Sequence, residues 1–129
     1  MSEENVQLFM AATDAFNRAD VGAFLELVHP EIRFEPLQAA LQGAYLGHQG
    51  VRDWFADISE HYVTETWHVD YTHVRDLGGD VLGIGTLRFS ARGSGITSET
   101  PVAFRATFSQ RLITHLKDFR DEDSAIEAA

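Results

Sequence analysis

The spacing of apolar residues changes once along this chain, near Thr64, from about 3.6 residues to 2. Before this point the spacing is typical of helices, and the last helical face consists of Val51, Trp54, Phe55, Ile58 and Tyr62. After it, alternation predicts a strand with one side formed by Trp67, Val69, Tyr71 and His73. Helices followed by antiparallel strands predict an α+β fold.

Three helices are expected before the change. The first carries Phe9 and Phe16 on its apolar face. The second begins after Asp20, which can cap it, and ends at Pro30; its stripe is Val21, Phe24, Leu25 and Val28. A short peripheral strand over Ile32–Glu35 then precedes a third helix that begins near Gly50.

Glycine turns divide the second half of the chain into strands. Gly78-Gly79 predicts a tight hairpin into a strand over Val81–Arg92. Further strands are expected over Val102–Ser109 and Leu112–Phe119, with a short helix in the tail from Asp121. A strongly bent, mainly antiparallel sheet wrapped around the helices makes a cone with one internal pocket.

Composition narrows the class of protein. The 129 residues, 44% of them apolar, are expected to form one domain over 1–129. The formal charge of −10 has the wrong sign for nucleic acid or an anionic membrane, so neither partner is expected. No apolar run near the start has the length of a signal peptide or a membrane span, which predicts a cytoplasmic protein. The absence of cysteine excludes thiol chemistry.

Several short segments carry a family resemblance. They are Phe16-Asn17-Arg18-Ala19-Asp20, residues 27–34, residues 47–52 before Trp54-Phe55, and residues 93–108, 112–119 and 121–125. In this order they resemble the SnoaL-like polyketide cyclases of the nuclear transport factor 2-like superfamily. The resemblance implies a curved sheet and three helices around an apolar cavity, and a homodimer formed through the sheet. Members include isomerases, cyclases, hydrolases and proteins without known chemistry, so the fold does not decide the function.

Two carboxylates are candidate catalytic groups. Asp118 lies on the last strand, where the resemblance implies an inward Asp, and apolar walls there would raise its pKa. It could instead neutralise Lys117 or Arg120 at a strand end. Glu35 falls where the ketosteroid isomerases of the superfamily carry a general-base Asp before a proline. Alternation complicates that role, because an inward Phe34 leaves Glu35 solvated.

Candidate ligand contacts come from aromatic and basic residues. Trp54, Tyr71 and Phe104 are expected to grip a flat apolar ligand, or else to fill the cavity themselves. Arg88 is expected to stabilise negative charge that develops on the ligand. It could instead pair with a carboxylate, bind an anionic ligand or face the dimer seam.

Histidine spacing argues against a metal centre. His68 and His73 are five residues apart on one strand and should project to opposite faces, and His115 and Asp118 are split in the same way. We therefore expect neither metal nor cofactor. Two functions stay open. One is an enzyme that rearranges a small apolar, oxygen-bearing molecule by proton transfer, with isomerase, cyclase or hydrolase chemistry. The other is a non-catalytic binding or dimerisation module whose pocket is filled by its own side chains.

Overall fold

A computed structural model describes residues 2–36, 44–63 and 66–128. Four helices and six strands lie in these ranges. The helices are α1 (Ser2–Asn17), α2 (Val21–Glu26), α3 (Gly47–His61) and α4 (Glu122–Glu127). The strands are β1 (Val28–Glu35), β2 (Tyr45–Leu46), β3 (His68–Asp76), β4 (Val81–Ser90), β5 (Thr97–Ser109) and β6 (Leu112–Phe119). The predicted α+β class and the order of the predicted helices and strands are confirmed, while β2 is a strand that the sequence did not predict.

The six strands form one sheet in the order β2-β1-β6-β5-β4-β3. Only the β1–β6 pair is parallel; the other neighbours in this sheet are antiparallel. The sheet is strongly curved, because one side chain, Trp54, contacts residues from nearly opposite ends of it. The ring of Trp54 on α3 lies 4.7 Å from the ring of Phe34 on β1 and 6.2 Å from that of Trp67, the residue before β3. Those strands are four spacings apart, about 19 Å in a flat sheet.

Helices α1, α2 and α3 pack on the concave face, here called the inner face. Their apolar stripes join the inward residues of the strands in one core. Phe9 and Ala12 from α1 and Trp54 from α3 are nearly fully buried in this core. Burial of so many large side chains is the main source of stability in a domain of this size.

Five predicted boundaries are wrong: the ends of α2 and β4, and the starts of β1, α3 and β5. Strand β4 ends at Ser90, two residues before the expected Arg92. Helix α2 ends at Glu26, because Val28 leaves the helix to pair with Ile113 of β6, so β1 begins before Pro30 rather than after it. Helix α3 begins at Gly47, three residues earlier than expected. Strand β5 begins at Thr97, since its backbone pairs with β4 as far as Ser90. Its first residues are exposed on both sides, and such a stretch shows no apolar alternation.

A bulge in β3 changes which side chains face inward. The register with β4 shifts between Tyr71 and His73, so Val74 rather than His73 joins the inner face. Gly85 lies opposite Tyr71, and a Cβ atom there would collide with the backbone of Asp70 and Tyr71. The absence of a side chain at position 85 is thus what lets the bulged strand approach β4.

The bulge also reverses one expectation about histidines. His68 pairs with Arg88 and His73 with Ile84, two residues of the same face of β4, so both histidines lie on the convex, outer face of the sheet. Among the described residues, no three His, Cys, Asp or Glu side chains come together as a metal site would require.

Helix α4 covers one end of the outer face, where Ala125 packs against Leu82 and Ala103. Asp121 caps this helix by accepting a hydrogen bond from the backbone N–H of Ser124 at 2.8 Å. The predicted tail helix is therefore confirmed. None of the helices that the structure describes has the length and apolar character needed to cross a bilayer.

Candidate functional site

Asp118 is a buried carboxylate on the inner face of β6. It lies opposite Phe104 of β5, and only 2% of its surface is exposed. The backbone N–H of Ala103 donates a hydrogen bond to its Oδ1 at 3.0 Å. Burial raises the pKa of Asp118 to about 6, against the opposing effect of backbone hydrogen bonds from Ala103 and Phe119. Within the described residues no cation contributes to this pKa, and none forms an ion pair with Asp118.

A small cavity lies between α1, α2 and the sheet; Asp118 is not part of its lining, but Phe104, its partner across β5 and β6, is. Its volume is about 30 Å³. The cavity is lined by Phe9, Ala12, Thr13, Phe16, Phe24, Phe34, Val69, Tyr71, Phe104, Ile113 and Leu116. The space equals about one water molecule in the liquid, whereas pockets for drug-sized ligands measure roughly 300–1,000 Å³. Most of the cone is thus filled by the aromatic side chains of the protein.

Thr13 and Tyr71 are the polar residues of this lining. Burial raises the pKa of the Tyr71 phenol, hydrogen bonding with Thr13 opposes this rise, and the charge of Asp118 adds to it. Tyr71 is therefore a neutral hydroxyl near neutral pH, able to donate a hydrogen bond. The electrostatic effect of Asp118 on this pKa places the carboxylate within electrostatic reach of the phenol. The donor therefore lines the cavity, and the acid–base group lies within electrostatic reach of that donor, behind the lining.

Gly83 makes room for this arrangement. The rings of Phe9 and Tyr71 have their centroids 5.1 Å apart, and both cover the position where a side chain at residue 83 would begin. A Cβ atom there would lie 2.7 Å from Phe9 Cε2 and 2.7 Å from Tyr71 Cε1. The glycine thereby fixes how deeply Tyr71 sits beside the cavity.

The other residues predicted from the sequence separate into two groups. Phe104 and Tyr71 line the cavity, as expected for ligand contacts. Trp54 does not; it is 2% exposed and stacks on Phe16 at 5.1 Å inside the core. Its position fits the alternative that the aromatic residues fill the cone.

Arg88 lies on the outer face. It is exposed and pairs in register with Glu99 of β5, while its neighbour Leu87 points into the core. Because adjacent residues of a strand point to opposite faces, Arg88 cannot reach the cavity. This placement argues against its predicted role in stabilising negative charge on the ligand.

Glu35 also lies on the outer face, since its neighbour Phe34 points inward. Its Oε2 is 3.1 Å from Arg33 Nε and 2.6 Å from His115 Nε2. Partial burial raises the pKa of Glu35, but hydrogen bonds from His115 and Arg33 outweigh it and lower the pKa below its ordinary value. Glu35 is a structural link between β1 and β6, and it is separated from the cavity by the sheet.

Sequence reasoning did not select Thr13 or Gly83. Thr13 lies in the helical stripe that contains Phe9 and Phe16, and a hydroxyl within an apolar stripe is the signal that would have identified it. Gly83 lies inside a strand, where glycine often marks the close approach of another group. Neither signal says which residue of another element makes the contact.

Comparison with known proteins shows the same architecture elsewhere. The family model of the SnoaL-like domain matches residues 8–116. A nuclear transport factor 2-like protein of unknown function from Burkholderia pseudomallei is 19% identical, with a TM-score of 0.81 and 95% of each chain covered. No sequence among the curated proteins matches this chain.

Two further structures of this architecture were crystallised with small molecules. TerC, co-crystallised with polyporic acid, is 18% identical with a TM-score of 0.80 and 94% of each chain covered. A protein with a ketosteroid isomerase-like fold from Catenulispora acidiphila, in complex with trimethylamine, is 17% identical with a TM-score of 0.76, over 87% of this chain and 83% of that chain. At such identities the likeness shows the fold alone.

Proposed function

Because the chain belongs to the SnoaL-like domain family, we propose that its cone binds a small apolar molecule bearing a carbonyl oxygen, and that Asp118 transfers a proton on it. The family covers ligand-binding, cyclase-like and isomerase-like proteins, so the residues of the cone must carry the argument. The co-crystallised molecules of TerC and of the Catenulispora protein support a ligand in a cone of this kind.

One observation carries the proposal: Asp118 is nearly fully buried without a cationic partner. An unpaired carboxylate in apolar surroundings lowers stability, so a purely structural role gives little reason to keep it there. With a pKa of about 6, the group is mainly ionised near pH 7 and still basic enough to accept a proton. Such a pKa suits a general base.

In this mechanism Asp118 removes a proton from the carbon next to the carbonyl of the ligand. The electron pair of the broken C–H bond moves toward the carbonyl oxygen, where negative charge develops. Tyr71 donates its hydroxyl hydrogen bond to that oxygen and takes the role that the sequence suggested for Arg88. In a ligand whose C=C bond starts at the carbon after the deprotonated one, the protonated Asp118 returns the proton to the far carbon of that bond. The carbonyl then re-forms and the double bond shifts into conjugation with it, an isomerisation without any change of oxidation state.

Proton abstraction can be tested without knowing the product. Small cyclic ketones and lactones are incubated with the protein in D₂O, and exchange at the carbon next to the carbonyl is followed by NMR. We expect Asp118→Asn to slow exchange of an accepted compound by about 10²–10⁴-fold, the usual contribution of a general base. Tyr71→Phe should slow it by about 10²-fold because the donor to the developing charge is lost.

Asp70→Asn is the matched control, because Asp70 is an exposed carboxylate on β3. This variant should catalyse hydrogen exchange of the accepted compound at the wild-type rate. Equal rates for wild type and Asp118→Asn on every compound that binds would overturn the proposed role of Asp118.

The small cavity favours a second candidate, a non-catalytic module with a self-filled cone. Its volume of about 30 Å³ admits a drug-sized ligand only if aromatic side chains such as Phe104 move. Absence of binding to wild type across the panel, together with binding to Phe104→Ala, would favour this candidate. Binding to wild type with saturable shifts of Tyr71 and Thr13 resonances would contradict it.

A further inference from the structure

We propose that the outer face of the sheet carries a second site, which binds a small oxyanion such as phosphate or a carboxylate. This site lies between β5, β6 and Ala128, the residue that follows α4. A cavity of about 70 Å³ opens there, and it is lined by Asp80, Arg105, Thr107, His115, Lys117, Phe119 and Ala128. The volume exceeds twice that of a liquid water molecule, about 30 Å³. It suits an oxyanion group rather than a large ligand.

Hydrogen-bond donors dominate this lining, although the chain as a whole is acidic. Arg105, His115 and Lys117 all face the cavity, in a protein of net charge −10. Arg105 Nε pairs with Asp80 Oδ2 at 2.9 Å, and Thr107 donates to the same oxygen at 3.3 Å. The one acidic residue of the lining is therefore already matched by a guanidinium.

Arg105 is also fixed in position. Its Nη1 donates to the carbonyl oxygens of Ala125 and Ala128, both at 2.8 Å, at the end of α4. The guanidinium thus serves as a rigid wall of the cavity, and the cost of ordering a long side chain around a ligand is already met by the fold.

Lys117 is the basic residue of the lining that forms no ion pair with a described carboxylate. It is the only lysine of the chain, and its Nζ lies 5.1 Å from the centre of the Phe119 ring. No ion pair formed within the described residues includes it. Glu35 lies within its electrostatic reach, but that carboxylate is already bonded to His115 and Arg33. An ammonium held over an aromatic ring beside a polar cavity attracts an anion.

The second site is independent of the cone. Lys117 and Asp118 are adjacent on β6 and therefore point to opposite faces of the sheet. Occupation of the outer site is thus expected to leave the chemistry of Asp118 unaffected, and the two proposals can fail separately.

The single lysine allows a direct measurement on the whole chain. Reductive methylation with ¹³C-formaldehyde labels Lys117 and the amino terminus, and methylation keeps the positive charge. The labelled protein is titrated with sodium phosphate, with sodium acetate and with sodium chloride at constant ionic strength. We expect phosphate or acetate to shift the Lys117 signal saturably, at a concentration at least tenfold below any effect of chloride. The phosphate and acetate arms decide which oxyanion is preferred.

Variants provide the second readout, the rise in melting temperature of the unlabelled protein on addition of the preferred anion. Lys117→Met should reduce the apparent affinity at least tenfold, and Lys117→Gln serves if the first variant folds poorly. Arg52→Met is the matched control, since it removes one exposed cation from α3, away from this cavity, and should respond like wild type. A non-saturable Lys117 signal in both oxyanion arms, or an unchanged response in the Lys117 variants, would overturn the second site.

Discussion

The sequence named two carboxylates as catalytic candidates, Asp118 and Glu35, and alternation along their strands places them on opposite faces of the sheet. Asp118 points to the same side of β6 as the core residue Leu116. Glu35 points away from its inward neighbour Phe34 and pairs with Arg33 and His115 on the outer face. The two pKa values consequently move in opposite directions. Burial raises the pKa of Asp118 in spite of its backbone hydrogen bonds, and hydrogen bonds from His115 and Arg33 lower that of Glu35.

The raised pKa of Asp118 predicts a pH-dependent effect of Asp118→Asn on stability. The folded protein binds this proton up to a pH of about 6, whereas an unfolded chain releases it near 3.8. The stability associated with the neutral acid is thus complete below 3.8 and is lost as the pH rises through 6. At pH 8 the Asn variant should be more stable than wild type by about 2–3 kcal/mol, from about 1.36 kcal/mol for each pH unit of the shift.

At pH 3.5 the two proteins should have similar free energies of unfolding, because both then carry a neutral side chain that can accept the Ala103 hydrogen bond. Urea denaturation at the two pH values measures the difference. A constant difference between wild type and variant across this range would show that Asp118 is not buried as described.

At the level of elements, β3 and β4 together determine the depth of the cone. The bulge after Tyr71 and the glycines at 83 and 85 let β3, β4 and α1 approach closely. Because Gly83 has no side chain, the rings of Phe9 and Tyr71 can pack directly on the backbone of β4. Both rings line the cavity, so this close packing determines how much space is left in the cone.

Gly83→Ala should therefore disturb the site through packing alone. The added methyl would lie 2.7 Å from atoms of two rings, so Phe9 and Tyr71 must shift. We expect a loss of about 1–3 kcal/mol in the free energy of unfolding, as overpacking usually costs, and displaced Tyr71 resonances. Gly22→Ala is the control: its Cβ would meet only Asp20 Oδ1 at 3.7 Å, and alanine favours a helix by about 0.5–1 kcal/mol. Equal effects of the two substitutions would contradict this account.

At the scale of the whole molecule, the two faces of the sheet differ in how far helices cover them. The inner face and helices α1 to α3 form the core, and α4 covers one end of the outer face. The rest of the outer face carries exposed polar residues, including His68, Asp70 and Arg88. A homodimer through this face, as the family resemblance implied, stays a proposal.

Sedimentation equilibrium tests the homodimer. We expect a species of twice the 14.4 kDa of the chain, with dissociation promoted by Arg88→Glu, because that residue is exposed on the outer face. Arg52→Glu on α3 is the matched control and should leave the mass unchanged. A monomer at all concentrations used for the exchange experiment would refute dimerisation through the sheet.

The sequence by itself determined the α+β class and the order of the main elements, because each depends on a repeat that one segment carries alone. The inward direction of Asp118 was only what the family resemblance implied, and the structure places it on the inner face. The sequence also predicted that Glu35 faces solvent if Phe34, its neighbour on the strand, points inward. Only the tertiary structure decided that Tyr71 and Thr13 line one cavity within electrostatic reach of Asp118, that Trp54 belongs to the core, and that the bulge turns His73 outward. These outcomes depend on the register between strands and on how helices dock on a curved sheet. Such contacts join residues far apart in the chain, and local spacing carries no record of them.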